Sequence, residues 1–340
     1  MTRLRLIADD LTGALDSAAR FVPLTGPVAT TWQPGVPAGP AAFDAGTRDL
    51  AEPAARAAIA RFAPLLADGD PAFKKIDSLL RGHVAMELAE CQRGFDHCIL
   101  AAAFPFQGRI TRNGRQLVRD GAHWRDTGVD LRAAFGPTVQ ICDAETDADL
   151  DAIVAAGRRL PGRVLWCGTG GLAGALAGRR KVPRPALPQP ILALIGTDHP
   201  VSLAQLAAAP HWHHRLPAAA HRAVARSLAG GAATVSVALP AGTSRNQACR
   251  QIVRRFVALL AAIERPGTLM LAGGETLRGL CDALGVTRLD VDGEIEPGVP
   301  TSILRGGAWD GQRIVSKSGA FGDPGFFSRL VALSSPPLAG

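Results

Sequence analysis

The sequence predicts an α/β protein of two domains, each with a mostly parallel sheet flanked by helices. Short apolar runs such as Leu4–Ala8, Ile191–Ile195 and Thr268–Ala272 alternate with stretches of helical spacing, and that alternation implies parallel sheets in both halves. The 340 residues exceed the usual size of one domain. Between the halves, Pro183, Pro185, Pro188 and Pro190 forbid a helix or a central strand and read as a semi-rigid linker. The expected division is a substrate domain over 1–180, a linker over 181–190 and a nucleotide domain over 191–340, with the active site in the cleft between them.

Composition narrows the function. At 47% hydrophobic and 20% charged residues the chain can bury sizeable cores and is not of the disordered class. No apolar run has bilayer-spanning length, and the start, Met1-Thr2-Arg3-Leu4-Arg5, lacks the apolar segment of a signal peptide. A cytoplasmic protein without membrane contact is expected. Cys91, Cys98, Cys142, Cys167, Cys249 and Cys281 are scattered with no C-x-x-C pair, which fits reduced thiols rather than disulfides or zinc. The net charge of +7 is spread over arginines with no basic stripe interleaved with aromatics, so an anionic small substrate explains it as well as nucleic acid.

The elements follow in order. Leu4–Ala8 is a strand ending in Asp9-Asp10-Leu11-Thr12-Gly13, and Ala14–Phe21 is a helix. Adjacent carboxylates at a strand end repel one another and suit a general base or a metal-linked site; equally, Asp10 or Thr12 is a helix cap. Val28–Trp32 and Ala41–Asp44 are strands, the second delivering Gly46-Thr47-Arg48. Glu52–Leu66 is an alanine-rich helix.

The strand Phe73–Ile76 then runs into the densest chemistry of the chain, Lys74-Lys75-Ile76-Asp77-Ser78-Leu79-Leu80-Arg81-Gly82. Two of only four lysines stand here in an arginine-rich chain. That choice fits a compact charge aimed at an anion, at a strand end where α/β proteins place ligands. A charged turn leading to the helix around Val84–Ala89 is the plainer alternative. Cys98–Ala102 is a strand opening into Phe104–Arg115, expected to be a donor-rich loop, either a lid or a solvated excursion. Val164–Cys167 leads into Gly168-Thr169-Gly170-Gly171-Leu172-Ala173-Gly174. This nearly matches a dinucleotide fingerprint, but the acidic residue that should follow is missing, so NAD is discounted and a tight strand-to-helix turn is expected.

The second half restarts with strand Ile191–Ile195 and Gly196-Thr197-Asp198-His199-Pro200. A helix over Val201–Ala208 follows. His211, His213 and His214 match no metal-ligand spacing and are read as a surface loop. Thr234–Ala238 is a strand and Ser244–Ile263 a long helix. Strand Thr268–Ala272, then Gly273-Gly274-Glu275-Thr276, then helix Leu277–Leu284 make a phosphate cradle from backbone N–H groups and a helix dipole, or a tight turn with a variant capping box. Glu275 would face a cation, a ribose or solvent. Strands near Thr301–Leu304 and over Arg313–Lys317 follow, the latter opening into the glycine-rich Ser318-Gly319-Ala320-Phe321-Gly322-Asp323-Pro324. Neither a P-loop nor the protein-kinase motif set is present.

Taken together, these motifs resemble the four-carbon acid sugar kinase family, once known only as a domain of unknown function. The stretches are Ile7-Ala8-Asp9-Asp10-Leu11-Thr12-Gly13-Ala14, Lys75-Ile76-Asp77-Ser78 with Arg81-Gly82, Phe104-Pro105, Gln107-Gly108-Arg109 and Gly170-Gly171-Leu172-Ala173. In the second half they are Gly273-Gly274-Glu275-Thr276, Glu294-Ile295-Glu296-Pro297-Gly298-Val299-Pro300 and Lys317-Ser318-Gly319-Ala320-Phe321-Gly322. They stand in family order over nearly the whole chain. Leu79 stands where the family usually has Thr, Asp198-His199 replaces a more serine-rich turn, and the chain is short between Gly178 and Ala248.

The resemblance implies an N-terminal domain for a tetronate (threonate, erythronate or a 3-oxo-tetronate) and a C-terminal domain for ATP, with Mg²⁺ bridging the phosphates. Arg48, Lys75 and Arg81 would hold the acid, with Asp9, Thr12, Ser78 and Gln107 as further substrate contacts. Asp10 or Asp77 would accept the hydroxyl proton, Asp10 being favoured because it heads a helix. Gly196, Thr197, Gly273, Gly274, Glu275, Thr276, Gly319 and Gly322 would cradle the nucleotide. The alternative is a non-catalytic sensor of sugar acid and nucleotide; nucleic-acid binding rests on charge alone. Homo-oligomerisation, the exact sugar acid and its stereochemistry are left open.

Overall fold

The structure, a computed structural model, describes residues 3–35, 37–217 and 221–334. The chain divides into two compact units, Met1–Val182 and Pro183–Gly340.

The first unit contains, in order, β1 (Arg5–Ala8), α1 (Leu11–Thr25), β2 (Val28–Thr31), β3 (Ala41–Asp44), α2 (Glu52–Phe62), β4 (Ala72–Lys75), α3 (Val84–Cys91), β5 (His97–Ala101), β6 (Arg109–Arg112), β7 (Arg115–Asp120), β8 (His123–Asp130), α4 (Leu131–Phe135), β9 (Gln140–Ile141), α5 (Asp147–Gly157), β10 (Val164–Gly168) and α6 (Gly170–Leu176). Its main sheet has the order β2-β3-β1-β4-β10-β5-β9, parallel throughout. Strands buried on both faces read as continuous apolar runs, and Ile7, Phe43, Leu100 and Leu165 pack with Ile59 and Leu88 of the helices. The chain leaves β1 toward β2 on one side and later crosses to β4 on the other. β1 is therefore the switch point, where parallel sheets leave a crevice beyond the strand ends.

Local chemistry sets the boundaries. α1 starts at Leu11, three residues earlier than expected, because the Asp10 side chain accepts from the Gly13 N–H and caps it. α2 stops at Phe62 rather than Leu66. Pro64 cannot donate to the helical ladder, and residues Ala63–Asp68 tighten into a 3-10 turn.

The expected loop Phe104–Arg115 is instead the start of a three-stranded antiparallel sheet, β6-β7-β8. Asn113 and Gly114 both have positive φ, 53° and 75°, the mark of a two-residue hairpin turn. The inward Ile110, Thr111 and Gln116 are buried.

The second unit contains β11 (Ile191–Ile195), α7 (Pro200–Ala208), β12 (His213–Leu216), α8 (His221–Ala229), β13 (Ala232–Val237), α9 (Arg245–Ala262), β14 (Thr268–Ala272), α10 (Gly274–Ala283), β15 (Arg288–Glu296), β16 (Val299–Arg305), β17 (Arg313–Lys317) and α11 (Phe326–Ala332). Its strand order is β12-β13-β11-β14-β17-β16-β15. Pairing is parallel from β12 to β17 and antiparallel through β16 and β15. Ile191, Ile195, Met270, Leu206, Phe326 and Phe327 form the core on one face.

The proline-rich stretch is tied into this unit. The Pro183 carbonyl accepts from the Glu294 N–H at 3.0 Å, the Pro188 carbonyl accepts from Thr268 Oγ1 at 2.7 Å, and Leu187 is buried.

The histidines expected on a surface loop are partly in the sheet. His213 and His214 lie on edge strand β12, with Nε2 of each within 2.8 and 2.7 Å of the Ser236 and Ser227 hydroxyls. All six cysteines are free. No helix among the described residues is long and apolar enough to cross a membrane.

Candidate functional site

In the first unit the ends of β3, β1 and β4 lie side by side, and each carries charge to the switch point. Asp9 and Asp10 leave β1, Arg48 follows β3, and Asp77 and Arg81 follow β4. Arg48 is the hub. Its Nε and Nη2 donate to the two Asp9 oxygens at 2.7 and 2.8 Å. Nη1 lies 2.7 Å from Asp10 Oδ2, and Nη2 lies 3.8 Å from Asp77 Oδ1. A planar fork serves several carboxylates at once where an ammonium could not. Gly82, at φ 84°, lets the chain pass close to Arg48: a Cβ there would sit 3.4 Å from the Arg48 Cα.

Asp9 is 2% exposed. Burial alone would raise its carboxyl, but the Arg48 guanidinium outweighs burial and holds it below its ordinary value. Asp77 follows the same logic more strongly. Burial pushes it up, and the Arg81 fork with Arg48 and Lys75 drives it well below the usual carboxylate range. Arg81 Nε and Nη2 donate to Asp77 at 2.8 Å each, and the Leu79 and Arg81 N–H groups add two more bonds. Asp10 caps α1 and also faces the cluster. Oδ1 caps α1 through Gly13, while Oδ2 accepts from Thr12 Oγ1 at 2.6 Å and faces Arg48.

The two lysines part company. Lys74, fully buried, lies 2.6 Å from Glu87, which also accepts from Thr47 Oγ1. Burial lowers the Lys74 ammonium, but Glu87 wins and raises it above its ordinary value. Lys74 is thus committed inside the unit. Lys75 points toward α1: a Cβ on Gly13 would sit 3.1 Å from its Nζ, which donates to the Ile76 carbonyl at 2.8 Å. No ion pair within 4 Å joins it to a described carboxylate. It is the uncommitted cation of the cluster.

Some expected contacts lie at the margin. Ser78 contributes its carbonyl, which accepts from Gln116 Nε2 of β7 at 3.0 Å, tying the antiparallel sheet to the site. The Gln107 carbonyl accepts from Arg109, while its side chain makes no bond to the cluster among the described residues. Arg109 is the better candidate there. Burial lowers its guanidinium while Asp77 and Arg81 both act on it electrostatically. Asp16, which no sequence motif singles out, is buried on α1, and burial raises its carboxyl against the pull of Arg20 and Lys75.

In the second unit the neighbouring ends of β11, β14 and β17 converge. Gly273 adopts φ 109°, and a Cβ there would meet the Gly196 carbonyl at 3.2 Å. The Gly273 N–H donates to the Lys317 carbonyl at 3.1 Å, and Thr276 Oγ1 donates to the Gly196 carbonyl at 3.1 Å. Gly319 admits no side chain, since a Cβ would lie 2.6 Å from Thr197 Oγ1. Gly322, at φ 80°, sits against Gln205.

One expectation shifts. Gly274, Glu275 and Thr276 form the first turn of α10 rather than a loop, leaving Gly273 as the strained hinge, with no side-chain cap. That geometry leaves the first N–H groups of a ten-residue helix without a side-chain cap beside two glycine loops, as anion binding requires. Glu275 turns to Arg245.

Among the described residues no three His, Cys, Asp or Glu side chains gather into a metal-binding group. The closest carboxylates, Asp9, Asp10 and Asp77, are engaged by arginines. These residues do not form a protein cage for a divalent ion.

Comparison with known proteins gives two family matches. Residues 4–138 match the model of a sugar-binding N-terminal domain, and residues 192–327 that of a nucleotide-binding C-terminal domain. A D-threonate kinase of Cupriavidus necator is 30% identical, the match covering 93% of this chain and 94% of the relative. A D-threonate kinase of Bordetella bronchiseptica is 25% identical over 94% of each. The fold is shared with a solved DUF1537 protein of Haemophilus influenzae, at a TM-score of 0.69 and 19% identity, covering 96% of this chain and 98% of that one. The chain belongs to the four-carbon acid sugar kinase family.

Proposed function

We propose that this sugar acid kinase transfers the γ-phosphoryl group of ATP to a hydroxyl of D-threonate or a close four-carbon relative, erythronate or a 3-oxo-tetronate. The observation that carries the reading is the pairing of Arg48 and Arg81 with three carboxylates at the switch point of the sugar-binding unit, with the unpaired Lys75 ammonium acting on Asp9 and Asp77 from beside them. The relatives named D-threonate kinases support the substrate class.

Phosphoryl transfer asks the protein for position and charge neutralisation more than covalent chemistry. Arg81, 63% exposed at its side chain, and the uncommitted Lys75 receive the substrate carboxylate. Arg48 fixes Asp9 and Asp10 so that they present a constant face to the hydroxyls. Asp10 accepts the hydroxyl proton. Asp77 is the weaker candidate, because Arg81, Arg48 and Lys75 overcome its burial and hold it far below the pKa a general base needs. Asp9, Thr12 and Ser78 line the same strand ends.

The nucleotide's phosphates lie against Gly273, the start of α10, Gly196-Thr197 and Gly319–Gly322. Mg²⁺ would supply charge neutralisation on the phosphates, entering with them and keeping most of its waters, as this ion does where no cage is offered. Incubation with ATP, Mg²⁺ and D-threonate, followed by phosphorus NMR, tests the reading. A new phosphomonoester resonance matched by ADP is expected. ADP without a phosphomonoester would mean hydrolysis and would remove the transferase reading.

A further inference from the structure

Lys317 ends β17 and is 1% exposed. Its ammonium has three acceptors, Ser202 Oγ on α7 and the carbonyls of Ser318 and Phe321, each at 3.2 Å. It also stands 5.7 Å over the Phe326 ring. No carboxylate among the described residues pairs with it.

The charged groups on the surrounding elements are exposed or occupied elsewhere, Asp198 ahead of α7 being exposed. His199 accepts from the Val201 N–H at the start of α7. Asp323 is tied to Arg329 of α11, which also holds Glu296. Arg305 of β16 is tied to Asp290 and Arg313 of β17 to Asp292, and β14 brings no titratable side chain. A buried charge without a counterion is costly, and a fold keeps one where something supplies the missing anion. The bonds tie the ammonium to the glycine-rich loop after β17. The ammonium grips both ends of the Ser318–Phe321 turn, Ser202 Oγ donates to the Gly319 carbonyl at 2.9 Å, and Gln205 Nε2 donates to the Phe321 carbonyl at 2.9 Å. The Lys317 carbonyl meanwhile fixes the Gly273 N–H. One residue thus sets both glycine loops.

We propose that Lys317 is a positioning residue for the nucleotide: its ammonium clamps the Ser318–Phe321 loop and is the uncompensated positive charge that the polyphosphate answers, so that binding takes up a proton at this side chain. The proposal rests on the second unit being the ATP site. Burial supports it by bringing the free ammonium down to about 8; a polyanion beside it reverses that shift.

The test is titration calorimetry of the full chain with ATP and Mg²⁺ in two buffers of different ionisation enthalpy, from pH 7 to 9. Wild type is expected to take up about half a proton at pH 8, and to lose about tenfold in affinity between pH 7 and 9. Lys317→Met is expected to bind weakly with no uptake and a flat pH profile, while cooperative thermal unfolding by calorimetry is the control for folding. Should that variant not fold, wild type decides alone: uptake with ATP and ADP but not with adenosine is the expected pattern. Uptake peaking below pH 7 would assign the proton to a histidine and overturn the proposal, as would binding without uptake. Absence of any ATP binding would fell the nucleotide reading itself.

Discussion

Replacing Arg48 by Ala should be the most damaging single change at the switch point. The side chain is 15% exposed and faces Asp9, itself 2% exposed, through two bonds, with Asp10 at 2.7 Å and Asp77 at 3.8 Å. Its loss leaves a buried Asp9 and a half-buried Asp10 beside each other with no fork between them. Removing one partner of a buried pair costs about 3–5 kcal/mol, because the stranded charge must be desolvated alone. For a unit of this size that lowers Tm by on the order of 10 °C. Calorimetric unfolding of wild type and Arg48→Ala at pH 7 measures it. The penalty must shrink in acid. Wild-type Asp9 is held below its ordinary value, so its contribution is complete above the unfolded value near 3.8 and is lost as pH falls through the folded one. The variant has no such contribution to lose. A Tm within about 2 °C of wild type at pH 7 would show that solvent reaches these carboxylates and that Arg48 is no hub.

Further outcomes follow from the same geometry. Arg81→Ala should weaken D-threonate binding by about tenfold, the low end for a charged hydrogen bond because the side chain is largely exposed, and leave ATP binding unchanged by calorimetry. Gly273→Ala should do the reverse, since φ 109° strains any side chain by about 1–3 kcal/mol and its Cβ meets the Gly196 carbonyl; the ATP KM should rise with the sugar-acid KM unmoved. Asp10→Asn should depress kcat more than Asp77→Asn, with steady-state kinetics at saturating substrates as the measure. The Lys317 charge destabilises the fold where the Asp9 charge stabilises it, and both make stability rise with pH across their windows. Its folded value, about 8, lies below the unfolded 10.5, so the unfolded chain binds more protons between them and Tm of Lys317→Met relative to wild type should fall as pH rises through that window.

Much of this site was legible in the chain because its residues stand at strand ends, where short apolar runs stop and polar residues begin. Asp9-Asp10, Arg48 and Asp77 were visible individually. Their convergence was not, since nothing local encodes that β1 lies between β3 and β4. The two adjacent lysines looked alike in sequence, and only the position of Glu87 on α3 separates the structural Lys74 from the free Lys75. The antiparallel sheet after β5 reads as a loop in the sequence because its arginines and glycines mask the alternation, although the Asn113-Gly114 pair is a strong hairpin signal. The one sign of Lys317 in the sequence is a lone lysine before a glycine-rich loop in an arginine-rich chain. Asp16 and Arg109 owe their interest to burial, which a single sequence does not display.

The most direct measurement is a coupled ADP-release assay with Mg-ATP across D- and L-threonate, D- and L-erythronate and their 3-oxo forms. At least one of these acids should drive ADP release well above the rate without acceptor, D-threonate foremost, with Arg81→Ala raising the KM for that acid and not for ATP. No acid-dependent ADP release from any member of the panel, by protein that binds both ATP and the acid, would contradict phosphoryl transfer and leave a sensor of the two ligands.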